Sequence, residues 1–164
     1  MTGVQTCALP ICKIVWETNV SDGQPELRIT GAPLAIKDKL IIGASGGDSG
    51  VRDWVAGLDA ATGKLLWRKY TIPAPGEPGS ETWKGNTNAW QTGGAAVWVT
   101  GTYDPDTNQT IWGTGNPVPM FDPTYRPGDN LYTNSAISWN PDTDRKSTRL
   151  NSSHRSLSRM PSSA

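Results

Sequence analysis

Apolar and polar residues alternate in short runs through the middle of the chain, and polar turns separate the runs. "PLAIKDKLIIGAS" (33–45) predicts a strand, a Lys-Asp-Lys turn and a second strand. "WVAGLDA" (54–60) and "VWVTGTYDP" (97–105) predict strands that run into polar turns. Each turn is followed by a short return strand ending in tryptophan, "GKLLW" at Trp67 and "NQTIW" at Trp112, and "KIVW" ends the same way at Trp16. The whole unit is written twice, as "DAATGKLLW" (59–67) and "DPDTNQTIW" (104–112), and "NPDTD" (140–144) begins a third copy. In the first copy Asp59 and Thr62 can bond to the turn backbone, and Gly63 can take a positive φ without steric cost. Asn108 holds the glycine position in the second copy.

Roughly four strands per repeat of about 45 residues predicts β-propeller blades. The fold class is therefore all-β, a partial propeller of about three blades. A blade cannot bury both faces alone, so the recurring tryptophan is expected to pack between neighbours. A β-sandwich with chance tryptophan spacing is the alternative. Two irregular stretches, 71–94 and 116–135, are too long and too rich in Pro and Gly for simple connections. Loops of that kind serve a function or are disordered. Trp83, Trp90 and Tyr125 favour order and function.

Charge changes the picture at the ends. The formal net charge is zero, but five of the fifteen basic residues and no acidic residue lie in 145–164, and 1–12 is uncharged. Residues 13–144 thus carry a net charge of −5, which speaks against a nucleic-acid binder. No apolar run approaches the roughly 18 residues of a membrane span. No basic, long-apolar leader of the secretory kind precedes the repeats. Back-translation explains both ends. "TGVQTCALPI" (2–11) can be written ACT GGA GTT CAG ACG TGT GCT CTT CCG ATC, which resembles a sequencing-library adapter. "DRKSTRLNSSH" (144–154) fits the reverse complement, and "SRMPSSA" fits its continuation. Residues 1–12 and 144–164 are therefore expected to be translated adapter, the latter disordered. The genuine protein is expected over 13–143, without a natural start or stop.

Candidate chemistry is sparse. The only histidine, His154, falls in the foreign tail, and Cys7 and Cys12 fall in the leader. No Ser-His-Asp set or zinc site can be assembled from the rest. "GASGGDSGVRDW" (43–54) lets backbone approach a ligand and places Asp48, a hard oxygen donor, directly after the small residues. On spacing alone, a glycine-rich β-turn with a solvated Asp is the favoured reading. In "IWGTGNPVP" (111–119), Asn116 offers an amide oxygen suited to calcium-like cations, or simply forms a turn before Pro117. In "GGAAVWV" (93–99), Trp98 follows small residues and is either a stacking platform or a core residue. One carboxylate, one amide and one ring could hold a planar anionic cofactor with a hard metal.

Taken together, "ITGAPLAIKDKLIIGASGGDSGVRDWVAGLDAATGKLLWR", "GNTNAWQTGGAAVWVTGTYDP" and "IWGTGNPVP…RPGDNLYTNS" resemble the methanol/ethanol dehydrogenase family of quinoproteins. The resemblance spans nearly all of 13–143. It implies an eight-bladed propeller in the periplasm, with pyrroloquinoline quinone (PQQ) on the axis and calcium, or in some members a lanthanide, beside it. It implies that Thr30 binds the carboxylate side of the quinone and that Ser45, Gly46 and Gly47 lie against the cofactor. It implies further that Trp98 forms the floor beneath the ring system and that Asp48 and Asn116 are metal ligands. Asp48 stands where the family typically has Glu, and Ala96 where it often has Thr. A catalytic Asp and an Arg near the quinone are implied downstream of 143, and an adjacent-cysteine disulfide upstream. The implied reaction oxidises a primary alcohol to an aldehyde and passes electrons to a cytochrome c. A fragment without the catalytic Asp is expected to be inactive. Two other readings stand beside it: a cofactor-free propeller scaffold that binds partners, and a sugar or polyol quinoprotein dehydrogenase.

Overall fold

The computed structural model describes residues 3–7, 13–85, 88–143 and 146–147. Ten strands form three antiparallel sheets. Strands β1 (Gly3–Cys7) and β2 (Ile14–Asn19) pair as a two-stranded sheet. Strands β3 (Leu34–Ile36), β4 (Lys39–Gly43), β5 (Trp54–Asp59) and β6 (Leu65–Tyr70) form a four-stranded meander. Strands β7 (Thr102–Asp104), β8 (Gln109–Gly113), β9 (Ala136–Trp139) and β10 (Lys146–Ser147) form a second one. Two blades and a partial third make a partial propeller. Strands β1 and β10 lie in the two segments whose codons resemble adapter.

The period-two pattern fixes which side chains point where. In the β3–β6 blade, Ile42, Trp54, Ala56 and Leu58 face β2 and pack with Trp16, Val20 and Leu27. Ile41 and Val55 point the other way and pack with Val97, Trp112, Ile137 and Trp139 of the next blade. Both faces of the blade are thus buried, which the alternation of apolar residues requires of a propeller.

The three Asp/Asn turns share one local design. Asp59 Oδ1 accepts from the backbone of Ala61 and Thr62 at 3.1 and 2.8 Å and from the Thr62 hydroxyl at 2.7 Å. Asp104 and Asn140 bind their own turns in the same way. Their places in the blades differ, however. The Asp59 turn joins the third and fourth strands of its blade, and the Asn140 turn follows the third strand of the next. The Asp104 turn joins first to second. The tryptophans follow this division. Trp16 Nε1 donates to Ala60 O at 3.0 Å, and Trp67 Nε1 donates to Pro141 O at 3.1 Å, each reaching from one blade to the turn of the next. A Cβ on Gly63 would stand 2.3 Å from the Trp16 ring, so the close approach needs glycine there. Trp112 is buried in the interblade layer, and its Nε1 has no hydrogen-bond partner among the described residues. The expected equivalence of Trp112 with Trp16 and Trp67 is therefore corrected: local turn chemistry recurs at two positions in a blade, and the 45-residue spacing joined the two.

The run 97–105 also departs from expectation. Only Thr102–Asp104 is strand. Val97 N instead donates to Ala44 O at 2.8 Å, which draws the segment across the end of the first blade. The two long loops pack on each other. Lys84 N donates to Pro127 O at 2.8 Å, Leu131 N donates to Thr82 Oγ1 at 2.9 Å, and Trp83 Nε1 donates to Leu131 O. Trp90 stacks on the Arg52 guanidinium, which lies 4.6 Å from its ring centroid and 4.0 Å from that of Tyr70. Trp83 and Trp90 thus bind protein groups that hold the loops together.

Candidate functional site

The ends of β4 and β8 and the segment 93–100 surround a cleft of about 840 Å³. All seven residues singled out in the sequence line it: Thr30, Ser45, Gly46, Gly47, Asp48, Trp98 and Asn116. They come from four separate parts of the chain, and the backbone between them explains why they meet. Gly94 pairs with Arg52 on one side and with Pro117 on the other. Gly115 N donates to Ala96 O at 2.8 Å, and Ala95 N donates to Asn116 O at 3.1 Å. The 93–98 segment is therefore the seam that brings the glycine loop and the Asn116 loop together. Gly43 is required behind it, since a Cβ there would stand 2.3 Å from Val97 O.

The glycine loop turns tightly. Gly46 has φ 116° and Gly50 φ 80°, flanking the short 3-10 turn Gly47–Ser49 that presents Asp48. Asn116 Nδ2 lies 3.3 Å from Asp48 Oδ1, across 68 residues of sequence. A half-turn of the amide would present its oxygen instead, giving a carboxylate and a carbonyl oxygen side by side, donors for a hard cation. Among the described residues no group of three or more His, Cys, Asp or Glu is arranged to hold a metal. Two protein donors fit a cation that takes its remaining ligands from a bound molecule.

Trp98, Thr30 and Ser45 line the cleft with Asp48 and Asn116. Trp98 is 59% exposed and lines the cleft. Thr30 Oγ1 donates to Trp98 O at 3.0 Å and lies 3.3 Å from Ser45 Oγ, which donates to Arg28 O at 3.1 Å. Rotation of either hydroxyl redirects its proton toward a ligand carboxylate. Ala96 leaves that part of the wall without a hydroxyl. An exposed indole, two hydroxyls and a glycine turn are groups that could hold a planar acid.

Two charged residues at the site escaped the motif reading. Arg28 lines the cleft beside Glu26, its ion-pair partner at 3.1 Å. Asp53 is fully buried, and neither carboxylate oxygen has a hydrogen-bond partner among the described residues. Burial, and then the charge of Asp48, push its carboxyl up to about 8. The signal was an acid directly before the apolar run of β5.

A partial β-propeller with a concave cleft lined by a carboxylate, an amide and an exposed indole defines the class of the protein. The chain belongs to the PQQ-dependent dehydrogenase family: residues 14–147 match the glucose/ethanol/alcohol dehydrogenase β-propeller domain. It is 39% identical over 147 residues to the quinoprotein alcohol dehydrogenase PedH of Pseudomonas putida, covering 79% of this chain and 24% of that protein. It is 37% identical over 147 residues to methanol dehydrogenase [cytochrome c] subunit 1 of Methylorubrum extorquens, covering 79% and 23%. Among solved structures, the quinohemoprotein alcohol dehydrogenase of Comamonas testosteroni superposes with a TM-score of 0.76 at 36% identity, covering 83% of this chain and 22% of that one. A europium-containing methanol dehydrogenase superposes with a TM-score of 0.73 at 32% identity, covering 82% and 26%. The chain spans about a quarter of the length of the curated relatives it matches. No helix among the described residues is long and apolar enough to cross a membrane.

Proposed function

We propose that the protein carrying this segment oxidises a primary alcohol to an aldehyde with PQQ, and that residues 13–143 form one wall of its cofactor site. The observation that carries this reading is the meeting of the seven residues in a single cleft. Trp98 stacks under the ring system, and Thr30 and Ser45 bind its carboxylates. Gly46 and Gly47 allow close approach, and Asp48 with Asn116 holds calcium or a lanthanide. A lanthanide-dependent methanol dehydrogenase among the relatives, at 33% identity over 149 residues, supports the lanthanide alternative. When bound, the quinone supplies the hydride acceptor and the cation supplies a Lewis acid. The residues of this chain orient the ring, fix the cation and exclude water from one face. A cytochrome c acceptor and a periplasmic setting are part of this proposal, the acceptor supported by the relative named methanol dehydrogenase [cytochrome c].

The 164 residues by themselves leave this wall uncovered: Trp98 is open, and Phe121 nearby in sequence to Asn116 is 93% exposed. They are expected to show no alcohol oxidation. The test is reconstitution of the full-length protein with PQQ and either Ca²⁺ or a lanthanide, followed by alcohol-dependent dye reduction. Primary alcohols should reduce the dye only with both additions. Turnover without PQQ, or turnover with sugars or polyols alone, would overturn the reading.

A further inference from the structure

Among the described residues one buried carboxyl group is left without a hydrogen-bond partner, and it lies directly behind the glycine loop. A Cβ placed on Gly47 would stand 2.8 Å from Asp53 Oδ2, 3.0 Å from Gly94 Cα and 3.4 Å from Ala96 Cβ. The carboxylate therefore sits underneath the residue that precedes Asp48, enclosed by the seam that carries Asn116. Its backbone is fully engaged: Asp53 N donates to Gly94 O at 3.3 Å, and Asp53 O accepts from Thr71 N at 3.0 Å and from the Thr71 hydroxyl at 2.9 Å. Only the side chain is unsatisfied. A buried carboxylate with no hydrogen bond is costly to keep. The groups packed around it give no compensating charge. Asp48 is the sole charge that acts on it appreciably, and that charge is repulsive. Arg52, the adjacent cation, is turned away to Ile72 O and Glu77.

We propose that Asp53 is a positioning residue for the cation site, a carboxylate held behind the loop that strengthens the binding of a cation at Asp48 and Asn116 without contacting it. The inference rests on the cation site proposed above. A charge placed behind a ligand loop acts through the low-dielectric layer between them, and its effect scales with the charge of the ion. Such a residue favours a trivalent ion over a divalent one.

The experiment is a competition titration of the full-length apoprotein with Ca²⁺ and with Tb³⁺ against a chelator at one pH above 8, where Asp53 carries its charge, read by terbium luminescence and by calorimetry. Wild type, Asp53→Asn and Asp48→Ala are compared. Supporting-residue substitutions weaken metal binding on the order of tenfold, so Asp53→Asn should weaken Ca²⁺ about tenfold and, scaling with ionic charge, Tb³⁺ about thirtyfold. Asp53→Ala, which leaves no polar atom behind, should repeat the pattern. A merely structural role would weaken both ions by the same factor. Equal losses, or no loss while Asp48→Ala abolishes binding, would overturn the inference and leave the cation site standing. If wild type binds neither ion, the cation site itself fails and this inference falls with it.

Discussion

The substitution Asp53→Asn makes a prediction about stability that can be worked from the structure. Without a cation, burial lifts the Asp53 carboxyl from 3.8 to about 8 in the folded protein. Between those values the folded state holds a proton that the unfolded state has lost. The unfolded state then binds fewer protons, so stability falls as pH rises. The fall is about 1.4 kcal/mol per pH unit across the window, or about 4 kcal/mol between pH 4 and pH 7. It is complete above about pH 8. Asparagine has no such term. Urea midpoints of the full-length wild type and of Asp53→Asn, measured in chelator at half-unit steps from pH 5 to 8, give the difference curve. The variant should gain on wild type steadily across that range, whatever fixed cost the buried amide carries. Parallel curves would show that Asp53 is ionised and partnered in the folded protein, and the electrostatic reasoning would fail.

Other substitutions test the packing and the wall of the cleft. Trp67→Phe removes the bond to Pro141 O and should cost about 1 kcal/mol from that bond alone, whereas Trp112→Phe removes an unpartnered N–H and should cost less, as paired urea midpoints would reveal. Gly43→Ala drives a methyl group to within 2.3 Å of Val97 O. It should displace the neighbouring Trp98 and lower PQQ affinity together with stability, which tryptophan-quenching titrations would register. Trp98→Ala leaves the fold intact, since its ring is mostly exposed. It should weaken PQQ binding about tenfold through lost stacking and burial, measurable by equilibrium dialysis.

Much of this architecture was legible in the residues. Alternation marked the strands of the first blade because both of its faces are buried against neighbours, and Asp59, Thr62 and Gly63 formed the turn that their chemistry allows. The run 97–101 misled, because its apolar residues serve the seam across the blade end and pair with Ala44 outside any sheet. The Asp104 turn misled in another way. A turn motif reports local hydrogen bonding, and nothing in it says which two strands of a blade it joins. The site residues stood out through the family motifs, whereas the chemistry of Asp48, Asn116 and Trp98 alone was ambiguous; the fold adds that they line one cleft. Asp53 is marked only as an acid directly before the apolar run of β5, and its meaning depends on burial and on the distance to Gly47, which no local pattern records.

The central claim is that Asp48, Asn116 and Trp98 hold a cation and a planar quinone together. Crystals of the full-length protein grown with PQQ and a lanthanide, measured at the metal's absorption edge, test it most directly. The account predicts one anomalous peak within about 2.3–2.6 Å of an Asp48 carboxylate oxygen and the Asn116 amide oxygen, with the quinone ring lying on Trp98. A peak elsewhere, or a quinone bound away from Trp98, would contradict it.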